Sequence, residues 1–317
     1  MKRMISFISA QPLPNYIPIN EDVTRPEVLY GFFTPREKAM ELRWKALKEV
    51  IGKEFPAIRL EGVEVADEYD GHWIQEKCLA LLNEHAHDEW TLNATGGTKL
   101  MSASASEVFR QGGRPILYVE STRRHILKIN PDWTTAQLDF RNCIELPSYF
   151  ALFGQEVDSG HPVTGQEDKV QELLRQLRWR VWASVKLKGQ VANEYDVIGI
   201  DGYEMSVFEC KRRSDPTLNP TLTSTAVRRI KERHEDDVLK DLHKLFQVRQ
   251  RFGGITGKAY WVFSGNYRIS PTNEARIRDF NIIVIKRNEI NEIARTPEKF
   301  RLPLRGNVQF RPRRNNA

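Results

Sequence analysis

Apolar residues in the first 120 positions follow two patterns, short continuous runs and stripes at helical spacing. Runs of this length bounded by polar residues predict buried strands, and stripes at spacings of three and four predict amphipathic helices. Strands that alternate with helices form βαβ units, so this part predicts a parallel, doubly wound, Rossmann-like sheet. The predicted strands are 4–9, 28–33, 58–65, 90–95 and 116–120, and the predicted helices are 35–51, 73–82 and 97–110.

The pattern changes near residues 147–165, which are rich in Gly and Pro and have little periodicity. Such a segment favours a domain boundary, so we expect one α/β domain over 1–150 and a second over 151–317. The DG pair at 201–202 predicts a tight hairpin turn between two strands of the second domain. Its predicted elements are helix 166–178, strands 180–187, 194–201 and 204–211, a helix ending at 253–254, strand 258–265, helix 272–279 and strand 281–286.

Composition excludes several classes of protein. Of the 317 residues, 40% are hydrophobic and 28% are charged, which is a globular balance and argues against disorder. Cys78, Cys143 and Cys210 are far apart, so neither a disulfide scaffold nor a zinc ribbon is expected. Apolar runs such as 282–285 are much shorter than the ~20 residues that span a bilayer. We therefore expect a cytoplasmic protein with no membrane partner.

The net positive charge of the chain comes entirely from its second half. Residues 1–150 contain 18 Lys and Arg against 21 Asp and Glu, a balance of −3, whereas residues 151–317 contain 30 against 21, a balance of +9. This asymmetry favours contact between the second half and a polyanion such as DNA or RNA, although the basic residues could also be a solvated surface.

A glycine-rich segment, NATGGTKLMSASAS (93–106), lies between a predicted strand and a predicted helix. Ligands of open α/β sheets bind at the carboxyl ends of the strands, and free N–H groups at a helix start favour phosphate. Gly96 and Gly97 permit close backbone approach, while Thr95, Thr98 and Lys99 add hydroxyl groups and a positive charge. The Walker spacing is absent, and a simple glycine turn that begins a helix is the alternative.

Three loops together resemble the signature loops of CARF domains: SAQPLPN (9–15), FFTP (32–35) and NATGGTKLMS (93–102). CARF domains bind cyclic oligoadenylates across a two-fold dimer in CRISPR systems. The pairing of SxQxxPN with TGGTK is similar to effectors that carry a C-terminal PD-(D/E)XK nuclease and respond to cyclic tetra-adenylate. The resemblance implies ligand contacts from nine residues: Ser9, Gln11, Asn15, Thr34, Thr95, Gly96, Gly97, Thr98 and Lys99.

A second set of candidate residues lies on the predicted hairpin. Glu209 and Lys211 are two apart on one strand and therefore share a face, with Cys210 on the other face. Asp196 lies across from them if the hairpin is in register. Two carboxylates and a lysine at a sheet edge suit a hard divalent ion that activates water against a phosphodiester. A surface ion pair without catalytic consequence is the alternative.

The arrangement resembles a PD-(D/E)XK nuclease core, which usually has a further carboxylate on the preceding helix. Glu167 lies at the edge of that helix's apolar stripe and can face the sheet, whereas Glu172 points to solvent. Glu194 is another candidate, although its side chain shares the face of Asp196. The related nucleases carry Trp-Leu-Glu where this chain has Gly-Gln-Glu at 165–167. The resemblance implies Mn²⁺ or Mg²⁺ held by Asp196, Glu209, Glu167 and the backbone carbonyl of Cys210.

The combined interpretation is a homodimeric, metal-dependent endonuclease of type III CRISPR defence, activated by cyclic tetra-adenylate and cutting DNA or RNA with little sequence preference. Two other functions stay open: a ligand-responsive regulatory protein with an inactive nuclease domain, and a restriction- or resolvase-like nuclease that needs no ligand. Slow degradation of the ligand by the CARF site, with contributions from Thr34, Thr95 or Lys99, also stays open.

Overall fold

The computed structural model describes residues 1–35, 38–159, 166–189, 194–212, 221, 223–253, 256–264, 269–286 and 289. Within these ranges the chain forms two mixed α/β units, one around a seven-stranded sheet and one around a six-stranded sheet. The predicted α/β class is therefore confirmed. No helix in the described ranges is long and apolar enough to cross a membrane.

The first sheet has the strand order β3-β2-β1-β4-β5-β6-β7. Its strands are β1 (Lys2–Phe7), β2 (Val28–Phe33), β3 (Arg59–Glu64), β4 (Glu89–Asn93), β5 (Ile116–Glu120), β6 (His125–Ile129) and β7 (Thr135–Asp139). The helices are α1 (Leu13–Asn20), α2 (Lys38–Glu54), α3 (Gly71–Glu84), α4 (Lys99–Gln111) and α5 (Leu146–Ala151). The first five strands are parallel, and β6 and β7 continue antiparallel from β5.

Burial explains why the hydrophobic pattern located this sheet well. Every residue of β2 is buried, as expected for a parallel strand covered on both faces. The sequence did not predict α1, β6 or β7. Helix α1 contains Pro18 in its interior and has no side-chain N-cap, so its sequence is untypical of a helix. Strand β7 is mostly exposed and therefore lacks a hydrophobic pattern.

The second sheet has the order β13-β12-β11-β10-β9-β8. Its strands are β8 (Val157–Asp158), β9 (Arg180–Leu187), β10 (Glu194–Asp201), β11 (Glu204–Arg212), β12 (Lys258–Ser264) and β13 (Ile283–Lys286). Its helices are α6 (Gln166–Gln176), α7 (Ser224–Val248), which ends in a π-helical turn over Arg249–Gly253, and α8 (Pro271–Asp279). Strands β8 to β11 are antiparallel, whereas β11, β12 and β13 are parallel.

The β10–β11 hairpin fixes the register of the second candidate site. Asp201 pairs with Glu204 and Val197 with Phe208, and the two-residue turn between the strands has Gly202 at φ +66°. Continued by one residue, this antiparallel register sets Asp196 opposite Glu209. The predicted hairpin is therefore confirmed. The division of the chain at residue 150 stays a prediction, and β8 is the first strand after it to join the second sheet.

Candidate ligand loops and candidate nuclease centre

The three CARF-like loops lie next to each other at one edge of the first sheet. Strands β2, β1 and β4 are adjacent and parallel, so the loops that follow them meet at their carboxyl ends. Ser9 and Gln11 follow β1, Thr34 follows β2, and residues 95–99 follow β4. The topology thus brings the predicted ligand residues together.

Asn15 fixes the shape of the loop after β1. Its side chain is buried, and its amide nitrogen donates to the Phe7 carbonyl oxygen at 2.6 Å and to Ser6 Oγ at 2.9 Å, while its Oδ1 accepts from the Ser9 backbone N–H at 3.3 Å. Asn93 at the end of β4 donates to the same Ser6 Oγ at 3.0 Å and to the Pro14 carbonyl oxygen at 2.9 Å. Both amides are therefore engaged within the protein and tie the loop to two strand ends.

Sequence reasoning missed Ser6 and Asn93 as parts of this site. Both side chains are fully buried, although each lies within or at the end of an apolar strand. A small polar residue inside such a run needs a buried hydrogen-bond partner, and this requirement is the signal that could have identified them.

The glycine loop requires glycine at two consecutive positions. A Cβ atom on Gly96 would lie 2.0 Å from the Phe7 backbone oxygen, and Gly97 has φ +75°, which side-chain-bearing residues rarely adopt. Thr98 then caps α4, since its Oγ1 accepts from the Met101 N–H at 3.2 Å and donates to the Glu68 carbonyl oxygen at 3.1 Å. The loop therefore presents the start of a 13-residue helix at the sheet edge.

The predicted ligand residues differ in how free their side chains are. Gln11 and Lys99 are exposed, and Lys99 begins α4, where its charge and the helix N-terminus together favour an anion. The Thr95 hydroxyl is engaged, since it donates to Asn93 Oδ1 and accepts from the Val119 N–H, both at 2.8 Å. Ser9 Oγ donates to the Gln11 carbonyl oxygen at 2.7 Å, and Thr34 is buried.

The second site gathers two carboxylates around one lysine. Lys211 Nζ lies 2.5 Å from Glu209 Oε1 and 3.8 Å from Asp196 Oδ2. Asp196 Oδ2 also accepts from the Cys210 backbone N–H at 2.6 Å, which ties the carboxylate of β10 to the strand β11. The three residues that the sequence singled out on the hairpin are therefore in contact.

Burial and mutual charge govern the protonation of this group. Glu209 is only 1% exposed. Burial, together with the negative charge of Glu209, raises the pKa of Asp196. Burial by itself lowers the pKa of Lys211, but the charges of Glu209 and Asp196 outweigh it and raise that pKa, so the lysine stays protonated. The site is a buried acidic pair held together by an ammonium group.

Helix α6 carries Glu167, the third predicted carboxylate. Glu167 is partly buried, and burial and the charge of Asp196 raise its pKa, while the charge of Lys211 opposes that shift. Glu172, one and a half turns further along α6, is exposed. The side of α6 opposite Glu172 packs on the sheet through Val170, Leu173 and Leu174, and Leu177 just after the helix joins them; all four are buried.

The carboxylates of this site have the chemistry to bind a hard divalent cation, but their positions in this structure are not those of a formed metal site. Carboxylate oxygens such as those of Asp196 and Glu209 are the ligands that Mg²⁺ and Mn²⁺ prefer. Among the described residues, no group of three His, Cys, Asp or Glu side chains is close enough to hold a metal ion. Instead, Lys211 occupies the space between the two carboxylates, so metal binding requires this ammonium group to shift.

Helix α7 contributes two residues that sequence reasoning missed. Lys244 Nζ forms an ion pair with Glu209 Oε2 and donates to the Glu194 carbonyl oxygen at 2.7 Å, and Asp241 Oδ1 lies 4.0 Å from Lys211 Nζ. Both residues are mostly buried, with 19% and 14% of their side chains exposed. Their spacing of three along an amphipathic helix, next to buried Leu242 and Leu245, is the signal that could have identified them.

A buried polar network joins the two units between the sites. Helix α1 begins within the SAQPLPN loop and ends at Asn20, whose amide donates to Tyr203 Oη at 2.7 Å. Tyr203 Oη in turn donates to Glu21 Oε1 at 2.8 Å. Tyr203 belongs to the β10–β11 turn, and the same turn is held by the ion pair between Arg124 and Asp201 at 2.8 Å. One short helix therefore connects the candidate ligand loop with the hairpin that carries Asp196 and Glu209.

Comparisons with known proteins find a family match for the first unit and similar folds for both units. The family model of the Card1 CARF domain matches residues 4–149. No curated protein matches the chain in sequence. The two-unit fold is similar to that of Can2 from Sulfobacillus thermosulfidooxidans in complex with cyclic tetra-adenylate, with a TM-score of 0.69 and 18% identity over 94% of this chain and 99% of that one.

Two further solved structures share the fold. Protein VC1899 from Vibrio cholerae aligns with a TM-score of 0.73 and 14% identity over 96% of this chain and 99% of that one. A type III CRISPR defence DNA nuclease activated by cyclic oligoadenylate aligns with a TM-score of 0.58 and 13% identity, over 85% of this chain but 46% of that one. The N-terminal part of the chain, residues 4–149, is therefore similar to the CARF domain of Card1.

Proposed function

We propose that this chain is a cyclic oligoadenylate-activated, metal-dependent nuclease of type III CRISPR defence. The observation that carries the proposal is the presence of two separate centres in one chain. Ligand loops of the CARF type lie at the edge of the first sheet, and the Asp196, Glu209 and Lys211 cluster lies on the second. A sensor and a hydrolytic centre on one chain are the parts that a ligand-controlled nuclease needs.

Cyclic tetra-adenylate is the proposed activator, in agreement with the ligand bound to the similar structure of Can2. Phosphate groups suit the start of α4 and Lys99, and adenine edges suit the exposed Gln11 amide. Since a CARF site is shared across a two-fold axis, we propose a homodimer as the active form. The cytoplasmic location expected from the sequence stays a prediction.

The second centre has the groups for phosphodiester hydrolysis. Asp196, Glu209, the Cys210 carbonyl oxygen and Glu167 would hold Mn²⁺ or Mg²⁺, which would lower the pKa of a bound water and neutralise phosphate charge. Lys211, protonated through its acidic neighbours, would donate to the phosphate oxygens as negative charge develops on them. The basic balance of the second half of the chain favours a nucleic-acid substrate, either DNA or RNA.

The ligand can control this centre only by binding one arrangement of the two units more tightly than another. We propose that α1 transmits that preference, since it joins the Ser9–Asn15 loop to Tyr203 at the hairpin turn. Asp196 lies five residues from Asp201 at that turn, a distance of about 17 Å along an extended strand. A tilt of the hairpin would therefore move the carboxylates relative to Glu167 and α7.

The test is cleavage of labelled single-stranded RNA, single-stranded DNA and supercoiled plasmid with Mn²⁺, with and without cyclic tetra-adenylate. We expect cleavage only with the ligand, and we expect Glu209→Gln and Lys211→Ala to abolish it while ligand binding is retained. Cleavage that is indifferent to the ligand would support a restriction- or resolvase-like nuclease. Ligand binding without cleavage, with cyclic hexa-adenylate also tested, would support a regulatory protein.

A further inference from the structure

We infer that Lys244 of α7 is a positioning residue for Glu209. The Lys244 ammonium group holds one oxygen of the Glu209 carboxylate, so that the other oxygen faces the metal-binding side of the site. The inference rests on the proposed function and adds a residue outside the Asp196, Glu209 and Lys211 set. Its basis is that each oxygen of Glu209 has its own ammonium partner. Lys211 Nζ lies at Oε1, and Lys244 Nζ lies at Oε2.

Lys244 is held in place independently of Glu209. Its Nζ donates to the Glu194 carbonyl oxygen at 2.7 Å, and it lies 5.5 Å from the centre of the Tyr195 ring, within the range of a cation–π contact. Both partners belong to β10, the strand that carries Asp196. Lys244 therefore connects three elements, α7, β10 and β11, through a single ammonium group, and it fixes the Glu209 carboxylate relative to the strand of Asp196.

The two lysines differ in what can replace Glu209 as a partner. Lys211 is 31% exposed and has Asp196 and Asp241 within 4.0 Å, so it can leave Oε1 and still face a carboxylate. Lys244 is 19% exposed and its other partners are a carbonyl oxygen and a ring. A cation that enters between Asp196 and Glu209 therefore displaces Lys211 from Oε1, while Lys244 keeps Oε2 and the carboxylate orientation.

A positioning role and simple charge compensation predict opposite changes in metal affinity when Lys244 is removed. If Lys244 acted only as a neighbouring positive charge, its removal would strengthen the binding of a divalent cation. If it holds the ligand oxygen in position, its removal weakens metal binding, as loss of a residue that orients a metal ligand commonly costs about 10–100-fold in metal affinity or activity.

The experiment measures Mn²⁺ binding to the full chain without substrate, by electron paramagnetic resonance of the free ion, together with kcat and KM for DNA cleavage. We expect Lys244→Met to weaken Mn²⁺ binding about tenfold or more and to lower kcat with little change in the substrate KM. Lys244→Arg should restore part of both losses. Lys240→Met is the matched control, because Lys240 is an exposed lysine on the same helix, and it should behave as the wild type.

Tighter or unchanged Mn²⁺ binding in Lys244→Met would overturn the inference. A wild type that binds Mn²⁺ but does not cut nucleic acid would refute the proposed function and leave the Lys244 test valid, because that test reads metal binding alone. A wild type that binds no Mn²⁺ would overturn both. Should Lys244→Met fail to fold, as judged by circular dichroism and by cyclic tetra-adenylate binding, Lys244→Gln provides the same comparison, because it also removes the charge but keeps a polar side chain.

Discussion

Removal of one buried hydroxyl at the junction should uncouple the ligand site from the nuclease site. Tyr203 is 3% exposed, and its hydroxyl accepts from the Asn20 amide at 2.7 Å and donates to Glu21 Oε1 at 2.8 Å. Burial and the Glu21 hydrogen bond raise the pKa of Tyr203, so the hydroxyl keeps its proton and acts as the donor. Tyr203→Phe keeps the ring and deletes both hydrogen bonds.

The size of the effect on stability follows from the partners that remain. Glu21 keeps the backbone N–H groups of Arg141 and Asn142 at 3.0–3.1 Å, so its carboxylate is not left without donors. Loss of the hydrogen bond to the charged Glu21 and of the neutral one from Asn20 should together cost about 3 kcal/mol in the free energy of unfolding. For a domain of this size, that cost corresponds to a Tm lower by roughly 6–12 °C.

The effect on activation is the decisive measurement. The variant should still bind cyclic tetra-adenylate, because the hydrogen-bond partners of the Tyr203 hydroxyl, Asn20 and Glu21, are not among the predicted ligand residues. The stimulation of nuclease activity by the ligand should fall by about fivefold or more, within the usual range of coupling energies. Tyr30→Phe is the control. It also deletes a buried hydrogen bond that involves a charged group, the one that Arg3 donates to Tyr30 Oη at 2.7 Å, but this bond lies at the amino-terminal side of the sheet. Wild-type stimulation in Tyr203→Phe, despite its lower Tm, would refute transmission through α1.

Three further outcomes are expected. Burial raises the pKa of Glu204 from 4.5 to about 7, so the folded protein retains a proton that the unfolded chain releases, and stability falls as the pH rises through this window. Glu204→Gln should remove this loss of stability, which is worth roughly 3 kcal/mol above pH 7. Denaturant titrations of both proteins at pH 5 and pH 8 measure it, and equal pH dependence in the two would contradict the prediction. Gly96→Ala should abolish the binding of cyclic tetra-adenylate measured by calorimetry, because its Cβ would meet a backbone oxygen at 2.0 Å. The control Gly52→Ala, in an open helical position, should bind normally and gain about 0.5–1 kcal/mol of stability. Glu167→Gln should lower the rate of DNA cleavage about tenfold or more if it holds the metal ion, while Glu172→Gln, on the exposed side of the same helix, should cut at the wild-type rate.

Local patterns in the sequence were sufficient for most of the fold. Strand 28–33 was predicted with the observed bounds, because a strand buried on both faces is an apolar run and the run ends where the strand leaves the core. Strand 180–187 was also predicted with the observed bounds, although it is only partly buried. Helix α1 was missed because its internal Pro18 and the absence of a side-chain N-cap are untypical of a helix. It is stabilised by burial of Tyr16, Ile17 and Ile19. Its place between the ligand loop and the junction is a property of the packed molecule.

The contact between Asp196, Glu209 and Lys211 is determined by the sequence, because a two-residue turn at 202–203 fixes the antiparallel register and residues two apart on a strand share a face. The partners of that cluster were decided by tertiary structure alone. Lys244 is 35 positions beyond Glu209 and reaches it only because α7 buries its apolar stripe against the sheet, and Glu21 meets Tyr203 at a separation of 182 residues because α1 ends at the hairpin turn. Periodicity specifies which side of a helix is buried, but burial of that side against a particular surface depends on how all the elements pack together.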